Sequence, residues 1–423
     1  MKHTVKEHTL KNGLKGLVLH VPEAPVISIE FSFRAGEFLL DRNKWETAHV
    51  MEHLMLGANG SFKTARAFQA ELEKNGAYSN ASTSAYDVNY EVECAAFEAD
   101  RVIKLLIGAI ESPIFKPSEF KAEFGNVSEE LVGRSNNHFR TLNLALRTAL
   151  GFYSVPDQER VELMKNVSLE DVKEHYAQTH SISNARFVIA GDVKPSHIKL
   201  LESMKLPGTT ERISLPDEKP KVLNTPVTIL RKDVPNIYFY IDSYAPRLLN
   251  QTEKDALSVA STLLTETLHS KLLGAAREKG LVYAMGSGQQ QIKGYSSFWL
   301  GAQVSKKNAV KLFDLTRDVF QGMKQGGITA EELDSAKQYM KGRHARSAQT
   351  VTGLLGKYSH EYYQTDEYID EASFQDRIES VTAKDVCDVL NLTCSGEWAF
   401  GLLGDISDTT SSLLYDKVVS VLH

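Results

Sequence analysis

Short stretches of alternating apolar and polar residues predict β-strands in both halves of the chain. Residues 4–10 and 14–21 show this alternation on either side of Asn12-Gly13, a pair that favours a tight hairpin turn. Further strands are predicted over residues 26–33, 87–94 and 296–304. In this interpretation the N-terminal residues belong to a sheet and not to a signal or transit peptide, because no long apolar segment follows the first lysines.

Between the strands, apolar residues recur with the spacing of amphipathic helices. This spacing predicts helices over residues 44–56, 98–110, 119–132 and 309–324. Strands and helices come in blocks and do not alternate strictly, which favours an α+β fold. We expect each half of the chain to form a largely antiparallel sheet that is covered by helices on one face.

The order of elements in the first half recurs in the second half. Residues 167–172 precede a strand that ends in Gly191-Asp192-Val193, and residues 381–386 precede a strand that ends in Gly404-Asp405-Ile406. Four pairs of similar segments are separated by a nearly constant distance of roughly 210 to 214 residues, which indicates a duplicated domain and not a short solenoid repeat.

A polar stretch between the halves has the composition of a linker. It contains four of the twelve prolines of the chain, at positions 207, 216, 220 and 226. We therefore predict an N-terminal domain over residues 1–206, a linker over residues 207–226 and a homologous C-terminal domain over residues 227–423.

Composition and charge exclude several classes of protein. With 42% apolar and 24% charged residues, the chain of 423 residues can bury a sizeable core and is not a disordered protein. Its formal net charge of −6 argues against a broad nucleic-acid-binding surface. No apolar run approaches the roughly 20 residues of a membrane helix, and three scattered cysteines provide no disulfide framework. We expect a cytoplasmic protein that binds neither membranes nor nucleic acids.

The strongest chemical signal is the segment His49-Val50-Met51-Glu52-His53. On the helix predicted over residues 44–56, His49 and His53 lie one turn apart on the same face, so that both imidazoles can reach one metal ion. Imidazole and carboxylate ligands suit zinc, and the order H-x-x-E-H is the inverted zincin motif. The alternative is that the two histidines are simply half-buried residues of an amphipathic helix.

A third ligand has to come from another part of the chain. The helix predicted over residues 119–132 carries Glu123, Glu129 and Glu130. Glu123 and Glu130 are two helical turns apart and share a face, whereas Glu129 points about 100° away from Glu130 and is the weaker candidate. The alternative is that these glutamates are solvated charges on a surface helix.

Together these motifs resemble the pitrilysin/insulinase superfamily of metallopeptidases. The distance from His53 to Glu130 is similar to the family's usual spacing to its third ligand. Residues 80–84 resemble the segment of the substrate-facing edge strand, and residues 277–283 resemble a second-half motif whose Arg and Tyr reach the active site. The two-domain length resembles the branch that includes the mitochondrial processing peptidase and its bacterial relatives.

The resemblance implies a zinc-dependent endopeptidase and a role for each motif residue. His49, His53 and Glu130 would bind one zinc ion per chain. Glu52 would act as the general base towards a water molecule. Glu123 would support the catalytic site by orienting a histidine ring.

The same resemblance implies how peptides bind. Tyr283 would donate a hydrogen bond to the developing oxyanion, and Arg277 would hold the substrate backbone. An extended substrate would add as a strand along the sheet edge near Asn80 and Ala81. Short or unfolded peptides would be cleaved in a cavity enclosed between the two halves and between chains. A homodimer is the expected assembly, and a heterodimer with a related chain is the alternative.

The sequence departs from the family pattern around the histidine motif. Glu46-Thr47-Ala48 stands where the family often has Gly-Leu-Ala, Leu56 replaces a common Phe, and residues 57–61 replace a Lys-Gly-Thr segment. We expect these changes to affect packing and the exit from the helix, and not the ligands.

Two other functions are compatible with parts of the pattern. A non-catalytic scaffold or partner subunit of the same superfamily is one, although such members typically lose ligands. An iron oxygenase with two histidines and one carboxylate is the other, although no segment of the sequence supplies a cosubstrate site.

Overall fold

The computed structural model describes residues 1–207 and 211–422, and internal contacts divide these residues into two compact units. The first unit contains the described residues among 1–133, 157–216 and 345–370, and the second contains those among 134–156, 217–344 and 371–422. Each unit thus includes one segment from the opposite half of the chain, a feature that the sequence pattern did not predict. Of the predicted linker, residues 208–210 lie outside the described residues, and residues 211–226 form neither helix nor strand.

The sheet of the first unit has six strands in the order β1-β2-β6-β3-β5-β4. These strands are β1 (Thr4–Thr9), β2 (Lys15–His20), β3 (Val26–Phe33), β4 (Tyr78–Thr83), β5 (Val88–Ala95) and β6 (Ala185–Gly191). All neighbouring pairs are antiparallel except β2 and β6. The predicted N-terminal hairpin is confirmed, with Gly13 in its turn at a positive φ of 89°.

The sheet of the second unit has five strands in the order β7-β11-β8-β10-β9. These strands are β7 (Val227–Leu230), β8 (Asn236–Tyr244), β9 (Met285–Ile292), β10 (Tyr295–Ser305) and β11 (Trp398–Gly404). β7 and β11 are parallel, and the other neighbours are antiparallel. Both sheets are therefore largely antiparallel, as predicted.

Helices occupy most of the remaining chain. The first half contains α1 (Thr47–Met55), α2 (Ala65–Leu72), α3 (Ala99–Glu111), α4 (Pro117–Arg134), α5 (His138–Leu150), α6 (Asp157–Leu163), α7 (Leu169–Thr179) and α8 (Pro195–Glu202). The second half contains α9 (Gln251–Ser261), α10 (Leu273–Glu278), α11 (Lys306–Lys324), α12 (Ala330–Ser347), α13 (Val351–Thr365), α14 (Phe374–Ser380), α15 (Ala383–Cys394) and α16 (Asp408–Leu422). Across the described residues, each helix is too short or too polar to cross a membrane.

Each sheet buries one face under most of the helices of its unit, which confirms the predicted α+β class. One further helix packs on the opposite face, α13 in the first unit and α5 in the second. The apolar side chains of Leu354 and Tyr358 cover Leu17 and Val188 of the first sheet. The exchanged segments thus supply the cover for a second face, which local sequence patterns do not indicate.

The two halves share details of local structure that agree with the predicted duplication. Gly191 ends β6 and Gly404 ends β11, with positive φ values of 127° and 145°. A Cβ atom at either position would lie 2.4 Å from a backbone oxygen, so both sites require glycine. Ser168 caps α7 and Thr382 caps α15 through the same capping box, each with an Asp three residues later.

Candidate metal centre

The motif residues lie together at one side of α1. This helix is shorter than the predicted range 44–56, because a 3₁₀ turn (Arg42–Lys44) precedes it. Its apolar side chains are buried in the core of the first unit, which fixes the rotation of the helix. Ligand-type atoms of His49, Glu52 and His53 consequently lie within 4.8 Å of one another.

Glu130 joins the two histidines. Its Oε2 atom lies 3.4 Å from Nε2 of His49 and 3.4 Å from Nε2 of His53. Glu130 reaches this position from α4, whose Val127 and Leu131 are fully buried against the core. Two imidazole nitrogens and one carboxylate oxygen thus converge, which is the arrangement of three protein ligands around a catalytic zinc ion.

A carboxylate contacts the other nitrogen of each imidazole. Glu123 Oε2 lies 3.0 Å from Nδ1 of His53, and Glu46 Oε2 lies 2.9 Å from Nδ1 of His49. A neutral ring that donates its Nδ1–H to a carboxylate keeps the lone pair on Nε2, the nitrogen nearer to Glu130, where a metal ion can bind. The contact of Glu46 shows that our expectation about the departures from the family pattern was wrong at this position. Glu46 reaches one turn along the helix and contacts His49, one of the candidate ligands.

Glu46 belongs to a group of buried charges. Glu46, Glu37 and Arg160 are at most 6% exposed. Arg160 Nη2 donates to Glu46 Oε2 at 3.1 Å and to Glu37 Oε1 at 2.6 Å, and its Nε donates to Glu46 Oε1. Burial alone would raise the pKa of Glu46, but the hydrogen bond from His49 and the charge of Arg160 outweigh burial and lower it. Glu46 is therefore an ionised acceptor.

Glu52 lies beside the histidine pair and contacts the edge strand β4. Thr83 Oγ1 donates a hydrogen bond to Glu52 Oε2 at 3.3 Å. Burial raises the pKa of Glu52, and the charges of the neighbouring histidines oppose this shift without cancelling it. Because a carboxylate with a raised pKa is a stronger proton acceptor, Glu52 is suited to general base catalysis.

The strand β4 provides an open sheet edge next to α1. In the part of the chain that the structure describes, β4 pairs with β5 alone, so its outer backbone groups are available to a further strand. Asn80 is exposed on this strand, and Ala81 is half-buried against the core. This edge can accept an extended peptide through main-chain hydrogen bonds.

Arg277 and Tyr283 lie in the second unit. Arg277 is near the end of α10, and Tyr283 precedes β9 with 84% of its surface exposed. The guanidinium lies 5.0 Å from the centre of the Tyr283 ring and donates a hydrogen bond to the Tyr283 carbonyl oxygen. Tyr283 also lines a cavity of about 760 Å³ together with Tyr240 and Trp299. The roles of this pair towards a substrate stay predictions.

Two family models match separate parts of the chain. The model described as "Insulinase (Peptidase family M16)" matches residues 18–151, and the model described as "Peptidase M16 inactive domain" matches residues 166–340. The chain belongs to the M16, or pitrilysin/insulinase, superfamily. The predicted superfamily is thereby confirmed, whereas the matches do not specify a branch within M16. The histidine motif and α4 lie inside the first matched range.

The relatives of this M16 chain carry names that disagree about catalysis. "Non-peptidase homolog YmxG" of Helicobacter pylori is 22% identical, covering 80% of this chain and 79% of the relative. "Uncharacterized zinc protease YmxG" of Bacillus subtilis is 21% identical, covering 84% and 87%. The solved structure described as "The crystal structure of a protease from Helicobacter pylori" superimposes with a TM-score of 0.82 at 22% identity, covering 95% of this chain and 100% of that one. This likeness shows that the two chains share the M16 fold.

In the second unit of this M16 chain, two residues with hydroxyl groups are four positions apart, the same spacing as that between His49 and His53 in the first unit. Ser261 ends α9 and Thr265 lies one turn further, in a π-helical turn (Thr262–Glu266). Both contact the Oγ atom of Ser287 on the edge strand β9, at 2.9 and 2.7 Å. Within the described residues, the histidine motif of α1 is the one cluster of metal-ligating type. The candidate ligands found among the described residues therefore all lie in the first unit.

The sequence pattern did not identify Arg160 or Glu37 as neighbours of the site. The one available signal was the replacement of a family Gly by Glu46, three residues before His49. A charged residue at a buried helix start requires a charged or hydrogen-bonding partner. That partner lies 114 residues away in the sequence, beyond the reach of any local pattern.

Proposed function

We propose that this chain is a zinc-dependent endopeptidase that hydrolyses short or unfolded peptides bound in extended form. The convergence of His49, His53 and Glu130 beside Glu52 supports this proposal. The proposed three ligands and the proposed general base, which such hydrolysis requires, all lie within one unit.

The donor set of the site fits zinc. Two imidazoles and one carboxylate are ligands of catalytic zinc sites, which leave a fourth position open. Carboxylates behind both rings are the outer contacts that zinc-binding histidines usually make. When bound, zinc would polarise the scissile carbonyl and lower the pKa of the attacking water.

The residues around the donor set would position the substrate and move a proton. A peptide that adds to β4 lies beside α1, because that helix contacts β4. Glu52 would accept a proton from the attacking water and later deliver it to the nitrogen of the leaving amine. The hydrogen bond from Thr83 holds Glu52 Oε2 at the edge strand, and we assign the proton transfer to Oε1.

Further parts of the proposal rest on the family resemblance. Tyr283 would donate a hydrogen bond to the oxyanion, and Arg277 would hold the substrate backbone. We also propose a cytoplasmic homodimer, with a heterodimer with a related chain as the alternative. Light scattering on the purified chain alone tests the homodimer.

Replacing Glu52 tests the proposed reaction. We expect Glu52→Gln to retain its zinc and to lower the cleavage of a fluorogenic peptide at least about 100-fold, because the proton acceptor alone is lost. Zinc content and initial rates are the measurements. Glu129→Gln, on the exposed side of α4, is the matched control and should cleave at the wild-type rate. Wild-type turnover by Glu52→Gln would refute the assignment of the base.

A non-catalytic scaffold or partner subunit is the second candidate. The names of the relatives and family models favour the scaffold over the peptidase. One relative is called a non-peptidase homolog, and residues 166–340 match a model described as an inactive domain. The complete donor set favours the peptidase, because all its residues lie outside that matched range. A mixed peptide-library digest with and without chelator, read by mass spectrometry, separates the two. Chelator-sensitive cleavage supports the peptidase, and zinc-loaded protein that cleaves no peptide supports the scaffold.

A further inference from the structure

The structure assigns Glu46 a role that the family pattern does not contain. We propose that Glu46, clamped by Arg160, is a positioning residue that orients His49 for metal binding. The inference rests on the metal centre of the proposed function and on no step of peptide cleavage. It therefore holds for a zinc-binding scaffold as well as for a peptidase.

The first argument is the direction of the hydrogen bond. Glu46 Oε2 lies 2.9 Å from Nδ1 of His49, and neither side chain is more than 3% exposed. A neutral imidazole carries its proton on one nitrogen, and an ionised carboxylate can only accept. In the neutral form of His49 that binds a metal ion, the proton is therefore held on Nδ1, which leaves Nε2, the nitrogen 3.4 Å from Glu130, to bind the metal.

The second argument is that the side chain of Glu46 does not cap the start of α1. It occupies the N-cap position, where a polar side chain usually accepts a hydrogen bond from a backbone N–H of the first turn. The Glu46 side chain makes no such bond. Both carboxylate oxygens instead bind Arg160, and Oε2 also binds His49.

The third argument is the cost of the arrangement. A buried carboxylate without a partner is strongly destabilising, and Arg160 supplies the counter-charge with two nitrogens. Glu37 in turn accepts from Arg160 Nη2 at 2.6 Å. The clamp leaves Glu46 a single orientation, so that the ring of His49 is fixed before a metal ion arrives.

The two histidines are thus held differently. Glu123, which contacts His53, keeps 28% of its side chain exposed, whereas Glu46 has none exposed. A solvent-exposed carboxylate can be replaced by water when it is removed. When a fully buried carboxylate is removed, water does not reach the site, and the imidazole that it contacted loses its hydrogen-bond acceptor. The loss of Glu46 should therefore affect the metal more than the loss of Glu123.

The test is the zinc affinity of the purified full-length chain, measured by competition with a chromophoric chelator. We expect Glu46→Ala to weaken zinc binding about 10- to 100-fold and Glu123→Ala to weaken it less. Glu159→Gln is the matched control, because Glu159 is next to Arg160 in α6 but forms its ion pair with Arg42 and takes no part in the clamp. It should bind zinc with an affinity close to that of the wild type. Circular dichroism of the zinc-free variants verifies that each is folded.

Each result decides the proposal. A folded Glu46→Ala variant with wild-type affinity would overturn it, and so would an equal loss in Glu159→Gln. If Glu46→Ala does not fold, the zinc affinity of Arg160→Lys decides. Lysine keeps the positive charge but cannot form the bidentate hydrogen bonds that Arg160 makes to Glu46. Reduced zinc affinity supports the positioning role, and wild-type affinity overturns it. A wild-type chain that binds no zinc would instead refute the metal centre itself. The two failures are therefore distinguishable.

Discussion

Carboxylates outnumber cations around the two imidazoles. Four glutamates contact or adjoin the rings, namely Glu46, Glu52, Glu123 and Glu130. Arg160 neutralises one of them, and the remaining negative charge favours a divalent cation. Although burial opposes it, bonding to Glu130 and Glu46 raises the pKa of His49 to about 9. Protons would therefore compete with a metal ion for the ring nitrogens of His49.

Asp242 in the second unit gives a pH-dependent prediction at the residue scale. Asp242 is 6% exposed, and burial raises its pKa to about 6 although Tyr244 donates a hydrogen bond to it at 2.7 Å. The folded chain thus holds this proton more tightly than the unfolded chain. Its contribution to stability is complete below about pH 4 and is lost as the pH rises through about 6.

We expect Asp242→Asn to remove the loss of stability that the Asp242 carboxyl causes as the pH rises. Between pH 4 and pH 7, the free energy of unfolding of the variant relative to the wild type should increase by up to about 3 kcal/mol. Urea unfolding followed by tryptophan fluorescence at several pH values measures the difference. A variant whose stability changes with pH in parallel with the wild type would contradict the raised pKa of Asp242.

At the scale of elements, α13 shows how an exchanged helix is attached to the first unit. Its apolar side chains cover the second face of the sheet. At its end, Asp366 adopts a left-handed φ of 61°. Its carboxylate accepts hydrogen bonds from Arg186 at 2.6 and 3.0 Å and a further one from Arg212. Apolar packing and ion pairs thus act together on one helix.

We expect Asp366→Asn to lower the free energy of unfolding by about 1–3 kcal/mol, because the nearly buried Arg186 loses its counter-charge. Asn tolerates the left-handed backbone, so the effect reports the charge and not the conformation. Glu367→Gln, at the exposed neighbouring acid, is the matched control and should unfold like the wild type. Equal stability of the two variants in urea would show that the ion pairs do not hold α13.

At the scale of the whole molecule, the candidate ligands found among the described residues lie in only one of the two halves of the duplicated fold. The first unit has imidazoles at a spacing of one turn, where the second has Ser261 and Thr265. Hydroxyl groups that bond to one another are poor ligands for zinc compared with imidazole and carboxylate. The two halves therefore share a fold and differ in chemistry.

The prediction at this scale concerns the number of metal ions. After reconstitution and dialysis, we expect one zinc ion per chain, and His53→Ala should lose most of it because a ligand is removed. His269→Ala, at an exposed histidine of the second unit, should keep the full amount. Metal analysis of both variants beside the wild type is the measurement. Two zinc ions per wild-type chain would show that the second unit also binds metal.

Most of the fold could be predicted from patterns that extend over a few residues. Strand alternation located the N-terminal hairpin, and helical periodicity located α1, α3, α4 and α11. The constant distance between similar segments indicated the duplication, and the spacing of His49 and His53 indicated that they share a helix face. Each of these features depends on neighbours along the chain, so the amino-acid order is sufficient to determine it.

Contacts between distant segments required the folded chain. Glu46 and Arg160 are 114 residues apart, and Arg186 and Asp366 are 180 residues apart. The same holds for residues 134–156 and 345–370, which pack in the unit opposite to their own half. No period in the sequence relates such positions, because their pairing depends on which helix and sheet faces pack together in the folded chain.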